Sequence, residues 1–231
     1  AMLRRFLKQD LGKAYDPVHF EPPYAPWRQR LCVVPGGDLY KAVKDGRARV
    51  VTGTIATIEA DAVRLDSGAR VPADIIVTAT GLKLVMAGKI AVSVAGRPVD
   101  FAAHWFYRGA MFSNLPNLSV VFGYLNSSWT LRAEANAEYV AKVIAHMHAT
   151  ATTIAAPRLA PGREPEPVAP FDFTSGYLQR AVAHMPKSAA TPPWRLGQDY
   201  LADRRDFRVR PVSDGVLHFT NPPAAASGEA A

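Results

Sequence analysis

The chain has 231 residues, 48% hydrophobic and 20% charged, with 27 Lys and Arg against 20 Asp and Glu for a formal net charge of +7. That composition excludes an intrinsically disordered chain, and the length suffices for one large domain or two small ones. The basic residues come singly or in pairs such as Arg4-Arg5 and Arg204-Arg205, with no dense block and no aromatic-basic stripe; this argues against a nucleic-acid partner and leaves an anionic cofactor or acidic surface as the counterpart of the charge.

A single cysteine, Cys32, excludes an intramolecular disulfide and predicts a reducing, cytoplasmic setting, with the thiol as a small core residue. No apolar run approaches the ~18 residues that cross a bilayer, so no stable membrane insertion is expected. Leu3, Phe6, Leu7 and Leu11 recur at helical spacing and predict a short amphipathic helix. An α/β domain that opens without a strand is expected to be part of a longer fold. Pro17, Pro22, Pro23 and Pro26 then enforce an irregular connection. A short strand is expected over 31–34, and Pro35-Gly36-Gly37 leads into a helix with Asp38 as N-cap and Gly46 just past its end. Residues 47–51, 55–59 and 62–65 read as three strands, the last two joined by a tight turn at Ala60-Asp61.

Ile75-Ile76-Val77 is a continuous β-branched run, the pattern of a parallel strand buried on both faces, and it ends in Thr78-Ala79-Thr80-Gly81, small enough for close approach by a ligand or another backbone. A second strand is expected over 118–123, then a polar loop over 124–128, then a helix over 129–148 whose apolar face is drawn by Leu131, Ala135, Tyr139, Val140, Val143, Ile144 and Met147. Residues 151–170, rich in Ala, Pro and Gly, read as a mobile surface loop or an excursion, 177–185 as a helix, and 222–231 as a disordered tail.

No G-x-G-x-x-G follows a strand and no G-x-x-x-x-G-K occurs, so a conventional pyrophosphate clamp is not expected within these residues. His146 and His148 stand two apart on a helix and point to different sides, so no metal is expected, and no G-x-S-x-G elbow supports a serine hydrolase.

Asp74 to Gly81, as D-x-x-x-x-A-T-G, resembles a strand end shared by flavin-containing and Baeyer–Villiger monooxygenases. The stretch from Tyr24 through Pro26-Trp27-Arg28-Gln29-Arg30 to Asp38-Leu39 is similar to the ethionamide-activating branch of that family. So, in order and spacing, are Gly123-Tyr124-Leu125-Asn126-Ser127-Ser128-Trp129-Thr130-Leu131, Ser175-Gly176-Tyr177 and Pro193-Trp194-Arg195-Leu196-Gly197-Gln198-Asp199-Tyr200. The resemblance implies an α/β fold made of the C-terminal parts of two doubly wound, Rossmann-like dinucleotide-binding domains. Residues 1–29 would be a helix and Pro-rich linker, 30–81 the end of an NADPH domain, and 82–221 the end of an FAD domain.

The implied reaction uses FAD, NADPH and O2 to insert one oxygen atom into a ketone or onto a sulfur or nitrogen centre of a small molecule. Arg30 matches the family's active-site arginine, where a permanently charged planar fork can hold an anionic oxidant and its carbonyl adduct; the bland reading is a linker arginine. Asn126, Ser127 and Ser128 are expected at the flavin; equally open is simple N-capping of the following helix by Ser128 or Thr130. Thr80 and Gly81 mark the crossing between domains where the nicotinamide would pass. Asp74 is either a hinge anchor or a strand-edge polar residue, and Trp129 is either a substrate wall or core. A non-catalytic basic binding module remains the alternative, with the missing glycine loops in its favour.

Overall fold

The structure is a computed structural model that describes residues 2–25, 29, 32 and 34–223. Helices and short strands are mixed along the chain, in keeping with an α/β class. Two compact units are resolved, Ala1–Gly81 and Leu82–Ala231.

In the first unit α1 (Met2–Leu11) forms as its periodicity dictates, with Leu11 buried at its end. The prolines that follow leave only α2 (Pro17–Phe20), whose N-cap Asp16 accepts from the Val18 amide at 2.9 Å. Helix α3 (Asp38–Lys44) ends before Gly46, which takes φ +74° as a helix-stopping glycine does. Its N-cap is Gly37 rather than Asp38; Asp38 occupies the first turn, where its charge favours the helix dipole. Strands β1 (Ile55–Ile58), β2 (Ala62–Leu65) and β3 (Arg70–Pro72) make an antiparallel sheet in that order. Arg70 ties it together by pairing with Glu59 at 2.8 Å and with Asp61.

Three further expectations fail here. Residues 47–51 form no strand, and β3 supplies the third. Cys32 is exposed rather than a core residue. Residues 75–77 are not a strand: Ile75 and Val77 are 83% and 84% exposed and pair with nothing among the described residues, and strand composition cannot form a ladder without a neighbour. The expected strand over 31–34 falls partly, and Arg30 wholly, outside the described residues.

The second unit holds most of the core. Hairpins β4 (Ser93–Val94)/β5 (Arg97–Pro98) and β6 (Phe106–Tyr107)/β7 (Met111–Phe112) lead to a loop and then to α4 (Trp129–Ala149), the longest helix. Of the expected strand over 118–123 only a single bridge from Ser119 to Met111 forms. Next come β8 (Ile154–Pro157), β9 (Pro167–Val168), α5 (Gly176–Ala181), β10 (Ser188–Ala189), α6 (Tyr200–Val209) and β11 (Leu217–Thr220). Within residues 151–170, β8 pairs with β11 and buries Ala155 and Ala156, and β9 pairs with β10, so these parts are ordered into sheet, while residues 158–166 between them form a mostly exposed loop.

The β6–β7 hairpin divides two hydrophobic clusters by its alternation. Tyr107 and Met111 face one, with Tyr139, Trp194 and Phe207; Phe106 and Phe112 face the other, with Phe122, Phe171 and Leu196. Its turn places both Arg108 (φ +52°) and Gly109 (φ +64°) in the left-handed region.

Candidate functional site

The loop Tyr124 to Ser128 delivers the chain from the second cluster to the N-terminus of α4. Tyr124 and Leu125 are buried, while Ser127, Ser128 and Trp129 are exposed, so the first turn of the helix opens to solvent. Ser128 occupies the N-cap position but makes no side-chain cap; its hydroxyl instead meets that of Thr130 at 2.6 Å. The Leu131 amide donates to the Ser128 carbonyl at 3.3 Å, and with no side-chain cap the positive end of the dipole of this 21-residue helix faces solvent.

The loop is held from behind by the segment that enters α6. Gln198 Oε1 accepts from the Leu125 amide at 2.9 Å, and the Gln198 carbonyl accepts from Asn126 Nδ2 at 3.1 Å. Asn126 Oδ1 and Gln198 Nε2 are buried and have no hydrogen-bond partner among the described residues. Trp129 lies on Gly123 so closely that a Cβ there would stand 2.2 Å from the indole, and its ring meets Phe122 at 5.7 Å.

Beneath the loop is a buried ion pair. Arg132, with a fully buried side chain, reaches Asp203 at 2.8 Å and donates to the Gly197 carbonyl, while its guanidinium lies 4.3 Å from the Tyr124 ring centre. Tyr124 in turn donates to the same Asp203 oxygen at 2.8 Å. Burial pushes the Asp203 carboxyl up against the opposing pull of Arg132, and burial likewise pushes the Tyr124 phenol well above its usual range. A parallel pair, Arg108 to Asp206 at 2.9 Å, anchors the strained hairpin turn to α6. Together with Tyr139 stacked on Phe207 at 4.7 Å, these contacts fix α6 on α4.

Chemically, this is a rigid, solvent-open helix terminus with buried amide groups behind it: a seat for the electron-rich polar edge of a planar ligand. Among the described residues no cluster of three or more His, Cys, Asp or Glu could hold a metal ion, and no helix is long and apolar enough to cross a membrane.

No protein-family model and no solved structure matches the chain. Curated proteins do. The probable FAD-binding monooxygenase AlmA of an Acinetobacter species is 37% identical over 94% of this chain and 44% of its own length. The FAD-containing monooxygenase EthA of Mycobacterium tuberculosis is 40% identical over 96% of this chain and 46% of its own. The putative FAD-containing monooxygenase MymA of the same organism is 38% identical over 100% and 47%. The chain is a homologue of the FAD-containing monooxygenases. It spans about half the length of the curated relatives it matches.

Within this homologue, Asn126, Ser127, Ser128 and Trp129 lie together at the start of α4. Thr80 and Gly81 close the first unit, exposed, with Gly81 at φ +99°. Asp74, also in the first unit, lies beyond β3. Sequence reasoning did not single out Gln198, Arg132 or Asp203. Gln198 stood inside a family-like string without an assigned task. Arg132 and Asn136 were passed over as polar, although they sit at i and i+4 on the same face as Tyr139 and Val143, and that face is the buried one.

Proposed function

We propose that this chain is part of an FAD- and NADPH-dependent monooxygenase that inserts one oxygen atom of O2 into a ketone or onto a soft sulfur of a small molecule. Residues 30–81 would be the end of a Rossmann-like NADPH domain and 82–221 the end of a Rossmann-like FAD domain. The observation that carries the reading is the likeness to FAD-containing monooxygenases over 94–100% of this chain; the unit boundary at Gly81 and the uncapped start of α4 support it.

FAD, when bound, supplies a centre that accepts hydride from NADPH and then activates O2. The chain's own residues would do the rest. The α4 amides with Asn126, Ser127 and Ser128 would hold the ring edge where negative charge gathers on reduction, and the orphaned Asn126 Oδ1 and Gln198 Nε2 offer an acceptor and a donor suited to such an amide-like edge. Trp129, 42% exposed over Gly123, would wall the substrate side. Arg30 would hold negative charge at the substrate carbonyl oxygen, which favours ketones over purely sulfur or nitrogen oxidation. The net charge of +7 suits two phosphate-bearing cofactors.

The test is a chimera in which this chain replaces the matched stretch of Mycobacterium tuberculosis EthA. It is expected to bind FAD, to oxidise NADPH and to convert a cyclic ketone to an ester carrying one oxygen from O2. Arg30→Ala should keep the flavin, slow ester formation by roughly 10²–10³-fold and leave NADPH oxidation uncoupled. A colourless chimera that oxidises no NADPH overturns the reading in favour of a basic binding module, and tight coupling in Arg30→Ala removes the ketone assignment.

A further inference from the structure

Most glycines of this chain are explained by their own backbone, since they take a positive φ that other residues avoid. Gly123 is not one of them. It is buried just ahead of the loop that enters α4, and its φ lies outside the left-handed range, so its conformation does not call for glycine.

The reason lies in its neighbour. A Cβ at Gly123 would stand 2.2, 2.3 and 2.7 Å from Cγ, Cδ2 and Cδ1 of Trp129, whereas ordinary contact begins at 3.4 Å. At Gly53 the nearest atom is the tip of the Leu65 side chain at 2.9 Å, which a small rotation moves. At Gly123 the obstacle is the root of an indole, and the ring moves only as a whole.

Trp129 has little freedom to give way. Its ring meets Phe122 at 5.7 Å, and Phe122, 4% exposed, is stacked in turn on Phe171 at 5.1 Å. Its backbone opens α4, where the Leu131 amide reaches the Ser128 carbonyl. With Phe122 on its flank and an added atom behind it, the indole has only the outward direction, and it must go from 2.2 Å to at least 3.4 Å from that atom. The missing side chain is therefore a notch that lets the indole lie back against the backbone.

We propose that Gly123 is a positioning residue that holds the Trp129 wall back from the substrate by the thickness of a methyl group, and that this depth fits the enzyme to ring-sized apolar ketones over small open-chain ones. The substrate assignment rests on the monooxygenase reading. A flat aromatic wall rewards apolar area laid against it, and one methylene of depth in an apolar site discriminates by about 10- to 200-fold. A thick substrate uses that depth and a small one does not. The seating of the indole itself can be measured without flavin or turnover.

Every variant carries Trp27→Phe, so that fluorescence comes from Trp129, 42% exposed, and from Trp105 and Trp194, which are 3% and 8% exposed. In this chain, Gly123→Ala should lower the melting temperature and raise acrylamide quenching. In the Trp129→Ala background the same substitution should leave melting unchanged or raise it, because Gly to Ala at a compatible φ is otherwise neutral or stabilising. If Gly123→Ala does not fold, recovery of folding on adding Trp129→Ala gives the same answer. In the EthA chimera, Gly123→Ala should raise KM for a phenyl-substituted cyclohexanone about tenfold or more and that for butanone less than about twofold, the effect falling on KM rather than kcat. With Trp129→Ala present, it should move neither KM. Unchanged quenching, an equal penalty with and without the indole, or an equal KM rise for both ketones overturns the proposal. A chimera that binds no FAD sinks the monooxygenase reading and its substrate with it, while melting and quenching still decide whether Gly123 seats the indole; one that binds FAD but fails the KM comparison sinks this inference alone.

Discussion

Replacing Arg132 by Met keeps the length of the side chain and removes its charge, and the structure sets what that should cost. The wild-type guanidinium has no exposure; its loss leaves Asp203, 19% exposed, with Tyr124 as its remaining side-chain donor and the Gly197 carbonyl without its donor. Breaking a buried pair from one side costs about 3–5 kcal/mol, and losing the contact with the Tyr124 ring adds about 0.5–2 kcal/mol. Against this, burial already pushes Asp203 towards its neutral form, so the carboxyl can take a proton instead of remaining an unpaired charge. The net should fall near the low end, about 3 kcal/mol, a large share of the roughly 5–15 kcal/mol that holds a domain together. Urea denaturation of Arg132→Met and wild type at pH 7 measures it. Arg132→Met/Asp203→Leu should recover most of the loss, because two apolar partners leave no buried charge behind. A single variant within about 1 kcal/mol of wild type, or a double variant as unstable as the sum of the singles, refutes the assignment of Arg132 as the buried anchor of the loop.

Gly109 is the partner constraint: at φ +64° an added Cβ would lie 2.5 Å from Arg132 Nη1, so Gly109→Ala should destabilise by about 1–3 kcal/mol, and by less when Arg132 is already Met. Denaturation midpoints of the single and double variants check this. Asp214 is exposed as a residue; partial desolvation of its carboxyl alone would raise its pKa, but the carboxylate accepts from Tyr107 at 2.6 Å and from the Val216 and Leu217 amides at 2.9 Å, and the net shift is down. A depressed carboxyl contributes stability that is present above its unfolded pKa, near 3.8, and is lost as pH falls through the lower folded value. The melting temperature of wild type should therefore drop more steeply below pH 3.8 than that of Asp214→Asn, and parallel curves would contradict the carboxylate's role.

Elements legible in the sequence are those whose determinants are local. Helix α1 follows from Leu3, Phe6, Leu7 and Leu11, and the β1–β2 hairpin from Ala60-Asp61 between two apolar runs. Helix α6 was missed although Asp199 caps it by accepting from the Ala202 amide at 3.1 Å, because Phe207 is its one buried residue and no apolar stripe repeats along it. Strand β8 was hidden in an Ala- and Pro-rich stretch because small residues carry little apolar signal, yet Ala155 and Ala156 are what lets β11 pack closely.

The site divides the same way. Asn126, Ser127, Ser128 and Trp129 could be proposed together because they adjoin one another and resemble a family string. Their support was not, since Gln198 reaches Leu125 across 73 positions and Tyr124 reaches Asp203 across 79. The apolar stripe read on α4 pointed too far round, towards Ile144, which is 48% exposed. The true buried face includes Arg132 and Asn136, and a polar residue joins a core only when its partners are brought to it by the rest of the fold. That condition also separates residues 75–77 from β8. Both depend on a distant strand: β8 finds β11 within this chain, whereas 75–77 find no partner among the described residues and stay in solvent. The composition of a strand thus states what must cover it, and only the fold states whether the cover is present.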